Sequence, residues 1–303
     1  MSSKPSGVFV PVLTPFTRDL HIDNPRFATF CKWIVSQGAG LAVFGTNSEA
    51  NSLSTPEKRV ALDALIADGV SPAHLVPGTG ACSVTDAIEM SEHAVRAGCA
   101  GVLMLPPFYY KGATDAGLAD YYSRVIDKIG SSKLKVLLYH IPQLTGVPIT
   151  FTLIERLIKQ YPNTVVGIKD SSGDWANCEG MLKNFPDFAI FPASESFLAK
   201  AMPLGAAGCI SATANLQPAG ISEHVKRWRE PGMDDRHKKV DAVRQIMQKT
   251  NMIPALKYVT ATYGNDAEWS RVRPPFETMT DAVGKPIVDA LREVGFATPG
   301  WGK

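Results

Sequence analysis

Short unbroken apolar runs punctuate the chain, each followed by a stretch in which apolar residues recur every three or four positions. The runs are "GVFVPV" (7–12), "GLAVFG" (40–45), "HLVPG" (74–78), "GVLML" (101–105), "KVLLYHI" (135–141), "TVVGIK" (164–169), "FAIFPA" (188–193) and "AGCIS" (207–211). Being continuous rather than alternating, they suit strands of a parallel sheet covered on both faces. The segments between them carry helix ends. "LSTPEKR" offers Ser54 as N-cap, Glu57 as its capping-box partner and Pro56 in the first turn. In the next segment Ala87, Ile88, Ser91, Ala94 and Val95 share one helical face, and Gly98 ends it.

Eight strand–helix units in succession close most economically into a (β/α)8 TIM barrel. The structural competitor, a doubly wound open sheet, lacks a GxGxxG after its first strand. From about residue 225 the strand signals stop. "DDRHKKVDAVRQIMQK" places Val240, Val243, Ile246 and Met247 on one face after an aspartate cap, and Pro254 is expected to interrupt or kink the chain. "PALKYVTATYG" reads as helix to Gly264, and "DAVGKPIVDALREVG" as a last helix. The expected organisation is therefore a barrel over 1–224 and a helical C-terminal domain over 225–303.

Composition changes this picture little. The 303 residues are 45% hydrophobic and 20% charged, with a formal charge of +2. The densest basic patch, Arg236-His237-Lys238-Lys239, follows two aspartates and reads as a solvated helix start, so nucleic acid is a poor partner. Five scattered cysteines without a CxxC pair read as small, buried, reduced residues, and the six histidines form no HxxxH or HExxH pattern. The apolar N-terminal stretch is short, broken by Pro11 and Pro15, and lacks a basic leader or cleavage site. The expectation is a soluble cytoplasmic protein without a membrane span or a metal.

Candidate chemistry follows from where a barrel keeps its active groups, at the C-terminal ends of its strands. Those ends here carry Thr46, Asn47, Ser48 and Glu49, then "PPFYY" with Tyr109 and Tyr110, then Tyr139 in "YHIP", and Lys169. A lysine among hydroxyls suits Schiff-base chemistry, because burial without a close carboxylate favours the neutral amine. A tyrosine within reach can protonate the carbinolamine oxygen, and a small polar loop can hold a carboxylate. Each residue has a blander reading. A lysine after a strand more often forms an ordinary ion pair, with Asp170 the obvious partner. Tyr139 alone more often walls a barrel mouth, Thr46–Ser48 makes a strand-to-helix turn, and Tyr109-Tyr110 are packing or interface aromatics. Only their joint placement on successive strand ends makes catalysis competitive.

These residues resemble a known family. "GTNSEANSLSTPEK", "LPPFYYKG", "YHIPQLTG", "VVGIKDSSGD", "GCISATAN" and "RVRPPF" are similar, in order, to segments of the pyruvate-dependent class I aldolase-like superfamily. That group includes dihydrodipicolinate synthase, N-acetylneuraminate lyase and 4-hydroxy-2-oxoglutarate aldolase. The resemblance implies a barrel with a helical C-terminal domain, usually assembled as a homotetramer, a dimer of dimers. It matches Lys169 to the Schiff-base lysine and Tyr139 to the tyrosine assisting imine formation. Thr46 matches the proton-relaying hydroxyl, and Tyr109 a tyrosine that crosses from a neighbouring subunit. Asn47 falls where the pyruvate carboxylate binds, and Ile210 lines the same pocket.

Departures bear on the second substrate. Leu144 stands where the synthases carry an arginine for the aldehyde's carboxylate, and it cannot make that bidentate contact. Leu144 is similar to the sialic-acid lyases instead, yet Ala193-Ser194-Glu195-Ser196 replaces their Gly-Tyr-Asp-Glu stretch. "GTN" and "KDSSGD" lean towards the 4-hydroxy-2-oxoglutarate aldolase type. Ser171, Ser194, Glu195 and Ser196 are specificity candidates, with helix capping as their other reading. The expected function is a lyase without cofactor that joins or splits a 2-oxo acid (pyruvate) and an aldehyde. The alternative within the class is a hydratase or dehydratase acting on a 2-keto-3-deoxy acid. Outside it stand a quiet barrel that binds a keto acid and, last, a phosphate-binding barrel enzyme.

Overall fold

In the computed structural model, which describes residues 5–302, the apolar runs become the staves of a closed parallel barrel. Strands β1 (Gly7–Val10), β2 (Gly40–Leu41), β3 (Val102–Met104), β4 (Val136–His140), β5 (Val165–Asp170), β6 (Ala189–Pro192) and β7 (Gly208–Cys209) form two hydrogen-bonded sheets, β2-β1-β7 and β3-β4-β5-β6. Every ladder is parallel. The run at 74–78 is extended but makes only isolated bridges, Leu41 with Leu75 and Gly78 with Leu103. Pro77 interrupts it, having no N–H to give, although its carbonyl accepts from Leu103 N–H at 2.9 Å. That segment closes one gap between the sheets. The other is closed by Ala207 N–H to Ile190 C=O (2.9 Å) and Ile210 N–H to Pro192 C=O (3.2 Å).

Two apolar clusters follow from the alternation of side chains across these strands. Phe9, Val76, Leu137, Val166 and Phe191 fill the barrel interior, whereas Val8, Val136, Leu138, Val165 and Ile168 pack outwards against the helices. The surrounding helices are α1 (Asn24–Ser36), α2 (Thr55–Ala67), α3 (Val84–Arg96), α4 (Asp115–Ile129), α5 (Pro142–Thr145), α6 (Phe151–Gln160), α7 (Trp175–Asn184), α8 (Leu198–Ala201) and α9 (Pro218–Arg227). Helix α2 has the Ser54–Glu57 capping box and an early proline. Helix α3 starts from Ser83 and buries Ala87, Met90, Ser91 and Ala94.

The C-terminal segment folds as α10 (Met233–Met247), α11 (Met252–Gly264) and α12 (Asp281–Glu293). The position between 224 and 225 falls inside α9, so the barrel's last helix leads straight into this segment. Two local expectations are corrected. Gly232 rather than an aspartate caps α10, with Asp234 and Asp235 in its first turn, and Pro254 sits in the first turn of α11, where its missing N–H interrupts nothing. The cysteines are all free, but only Cys31, Cys178 and Cys209 are buried; Cys99 is half-buried and Cys82 exposed. Among the described residues no helix is long and apolar enough to cross a membrane.

Candidate active site

Strand β5 answers why a lysine ends an apolar run. Val136 of β4 pairs with Val165, but the next residue, Leu137, pairs with Gly167, so Val166 is an extra residue in β5. Val166 points inwards; without the shift, strict alternation would turn Ile168 inwards and Lys169 out to the helices. The bulge reverses that phase and pairs Tyr139 with Lys169 and Lys169 with Phe191 across the ladder. Gly167 makes room for it, since a Cβ there would lie 2.5 Å from the Ala189 carbonyl oxygen and 2.7 Å from Leu137 Cδ2.

Lys169 is 2% exposed, and its Nζ lies 4.2 Å from the centre of the Tyr139 ring. The next rung, His140 with Asp170, faces the other way. Asp170 is therefore not the partner of Lys169: its carboxylate accepts from Ser172 N–H (3.0 Å) and Asn177 Nδ2 (3.2 Å). Burial holds the His140 imidazole below its ordinary value, against the pull of Asp170, and its Nδ1 accepts from Ile149 N–H at 3.0 Å. That histidine serves the wall rather than the cavity.

The Tyr139 hydroxyl meets Thr46 Oγ1 at 3.0 Å. Thr46–Ser48 forms a short 3-10 turn between two residues of positive φ, Phe44 (60°) and Glu49 (57°). Such a φ is uncommon for a non-glycine residue and persists only where its surroundings fix it. Here Ser48 Oγ donates to Val12 C=O and accepts from Gly45 N–H, while Thr14 Oγ1 donates to Ser48 C=O. Behind the turn Glu49 is fully enclosed, paired with the equally buried Lys257 of α11 and accepting from Arg273 N–H at 2.8 Å. Burial pulls the Lys257 ammonium down to about 8.

A cavity of about 400 Å³ opens at the C-terminal ends of the strands. Of the residues predicted from sequence, it brings together Thr46, Asn47, Tyr139, Leu144, Lys169, Ser171, Ser194 and Ile210. Ser194 also caps the following turn, accepting from Ser196 N–H. Glu195 is not in the cavity: it is fully buried and accepts from Ser211, Thr213 and Gln217. Ser196 is spent on Asp241 of α10. Tyr109 does not line the cavity either; it is 73% exposed and stacks edge-on against Tyr110. Among the lining residues missed from sequence are several from the C-terminal helices and the segment before α12, including Arg244, Asn251, Ile253 and Phe276. Of these, only Phe276 had a signal, lying in "RVRPPF". No group of three or more histidine, cysteine or acidic side chains that could hold a metal ion occurs among the described residues.

Comparison with known proteins agrees with this architecture. The profile of the dihydrodipicolinate synthetase family matches residues 4–293. An uncharacterized DapA-like lyase of Chloroflexus aurantiacus is 32% identical over 90% of this chain and 91% of its own length. Dihydrodipicolinate synthase from Agrobacterium tumefaciens superposes with a TM-score of 0.87 at 30% identity, over 96% of this chain and 99% of that one. YagE of Escherichia coli K12, described as a putative 2-dehydro-3-deoxy-D-gluconate aldolase, is 30% identical over 74% of each chain. Its structure with pyruvate superposes with a TM-score of 0.86 at 25% identity, covering 96% and 99% of the two chains.

Proposed function

Because the chain belongs to the dihydrodipicolinate synthetase family of TIM-barrel, pyruvate-dependent class I lyases, we propose that it forms an imine between Lys169 and pyruvate and makes or breaks a carbon–carbon bond to an aldehyde. The observation that carries this reading is the adjacency of Lys169 and Tyr139 across one ladder, with Thr46 3.0 Å from the Tyr139 hydroxyl.

The Lys169 amine attacks the C2 carbonyl of a 4-hydroxy-2-oxo acid. Tyr139 gives a proton to the carbinolamine oxygen, which leaves as water. In the cleavage direction the Tyr139 oxygen takes the proton of the C4 hydroxyl, the C3–C4 bond breaks, and its electrons pass to the imine nitrogen. The aldehyde departs, leaving an enamine. Protonation at C3 and hydrolysis then release pyruvate and the free lysine. Thr46 relays the Tyr139 proton, Asn47 with its turn holds the pyruvate carboxylate, and Ile210 walls the same end. Exposed Tyr109 reaches the relay of a second copy in a dimer of dimers.

The lead substrate is a 4-hydroxy-2-oxoglutarate-type or related 2-keto acid. Leu144, neutral and 62% exposed at the cavity, disfavours dihydrodipicolinate synthase activity. A dehydratase acting on a 2-keto-3-deoxy acid would use the same imine and is told apart by its product, a dehydrated keto acid rather than free pyruvate.

Borohydride reduction in the presence of pyruvate, followed by peptide mapping, tests the proposal. The expected result is one added mass on Lys169, absent from Lys169→Ala together with turnover. No adduct with pyruvate or longer 2-oxo acids, or full turnover in Lys169→Ala, overturns it.

A further inference from the structure

The cavity contains a second cation for which the proposed imine chemistry has no use. Arg244 of α10 lines the cavity together with Lys169, and these are its two cationic residues. Arg244 is half-buried, and its Nε is enclosed without an acceptor among the described residues. Asp170, the acidic residue among those lining the cavity, accepts from Ser172 N–H and Asn177 Nδ2, and the carboxylates on neighbouring elements are taken as well. Asp241, one turn earlier on α10, accepts from Ser196 Oγ and from Gln245 Nε2 at 3.3 Å. Glu195, on the turn against which α10 packs, is held by Ser211, Thr213 and Gln217. A guanidinium nitrogen enclosed without an acceptor is costly unless a ligand completes it, and the planar fork matches a carboxylate.

We propose that Arg244 binds a carboxylate on the second substrate, so that the aldehyde partner is itself an acid and the condensed product a 2-oxo dicarboxylic acid. This rests on the Lys169 reading: once the lysine amine is bound into the imine, Arg244 is the fixed positive charge left to a second anion. Leu144 supplies no charge from α5, so the recognition falls to the C-terminal helices. Asn251, whose side chain makes no cap to α11, lines the same cavity and offers an amide to it. Ile253 and Phe276 add apolar walls to the cavity, and an apolar surround strengthens a charge-assisted hydrogen bond by excluding water.

The test compares wild type, Arg244→Leu and Arg244→Lys, using pyruvate with glyoxylate, succinic semialdehyde, glyceraldehyde and glyceraldehyde 3-phosphate. Wild type is expected to prefer a carboxylated aldehyde at least tenfold in kcat/KM. Arg244→Leu should lose about 30-fold with that aldehyde, chiefly in KM, and less than threefold with glyceraldehyde, while Arg244→Lys keeps the charge and recovers part. Pyruvate trapping on Lys169 should be equal in all three. Equal losses with charged and neutral aldehydes, a wild-type preference for glyceraldehyde or its phosphate, or loss of pyruvate trapping in Arg244→Leu each overturn the assignment. Should wild type trap no pyruvate, the imine proposal fails instead. Calorimetric titration of glutarate, which has neither ketone nor aldehyde, then decides for Arg244 alone: at least tenfold weaker binding to Arg244→Leu supports the site, and equal binding removes it.

Discussion

Tyr139 is 2% exposed, and its hydroxyl meets Thr46 Oγ1, on a turn of different origin, at 3.0 Å. A proton relay built on this contact has a graded signature. Tyr139→Phe keeps the ring over Lys169 and removes the proton carrier, so kcat is expected to fall by ~10²-fold or more with folding intact. Thr46→Val removes only the neighbour that orients the phenol, and the fall should be nearer ~10-fold, in kcat rather than KM. Steady-state kinetics with circular dichroism checks both; a Tyr139→Phe enzyme at wild-type rate would take the phenol out of the mechanism. Lys169, Tyr139 and Thr46 were legible in sequence because each stands at the end of an apolar run, a position with a chemical meaning in a barrel. Arg244 was not. In "VDAVRQIMQK" it reads as one more solvated position between buried Val243 and half-buried Ile246, and only the docking of α10 over the strand ends gives it a site. Glu195 and Ser196 failed in the opposite sense: polar loop residues in sequence, they are turned away and absorbed by Ser211, Thr213 and Asp241.

Strand β5 carries its function in its register. "VVGIK" predicted a buried strand, and the strand is there, but no one-dimensional pattern reveals that Val166 is skipped by β4, because a bulge is a property of the pair. The glycine is its trace. Gly167→Ala would place a Cβ 2.5 Å from a backbone oxygen of β6, where no side chain can swing aside. The ladder must shift, at a cost of about 1–3 kcal/mol as overpacking. Lys169 shifts with it, and a displacement of ~1 Å in a reacting group costs on the order of 10²-fold in rate. Denaturant unfolding together with the rate of borohydride-trapped adduct formation measures both effects. A variant with unchanged stability and trapping would show that the bulge is not held by this glycine. The weak stave at 75–78 makes the same point, since its apolar character was visible while its reduction to two bridges depends on Pro77 and its neighbours.

The helical C-terminal segment helps line the candidate site as well as enlarging the core. Arg273 reaches back to Glu57 at the start of α2 and to the Leu20 and Ser52 carbonyls, and Lys257 of α11 ends on Glu49, directly behind the Thr46 turn. The Thr46 turn is thus clasped from a segment more than two hundred residues away in sequence. Such a pair is weak evidence for net stabilisation, because both charges are desolvated, but removing one partner strands the other. Lys257→Met is therefore expected to lose about 3–5 kcal/mol, because enclosed Glu49 and the Arg271 carbonyl lose the amine that both contact, whereas Lys257→Met with Glu49→Gln should recover part of that loss. The pH dependence has a definite sign. With the buried ammonium at about 8 against an ordinary 10.5, the unfolded chain binds more protons between those values. This group's contribution to stability is accordingly lowest below pH 8 and rises with pH up to about 10.5. Urea midpoints from pH 7 to 10 should show that rise in wild type and a flatter profile in Lys257→Met. Turnover of the variant should fall along with stability, because the Thr46 turn loses its support. A Lys257→Met protein with wild-type stability, slope and rate would mean that the turn is held from the barrel side alone, by Val12, Thr14 and Gly45.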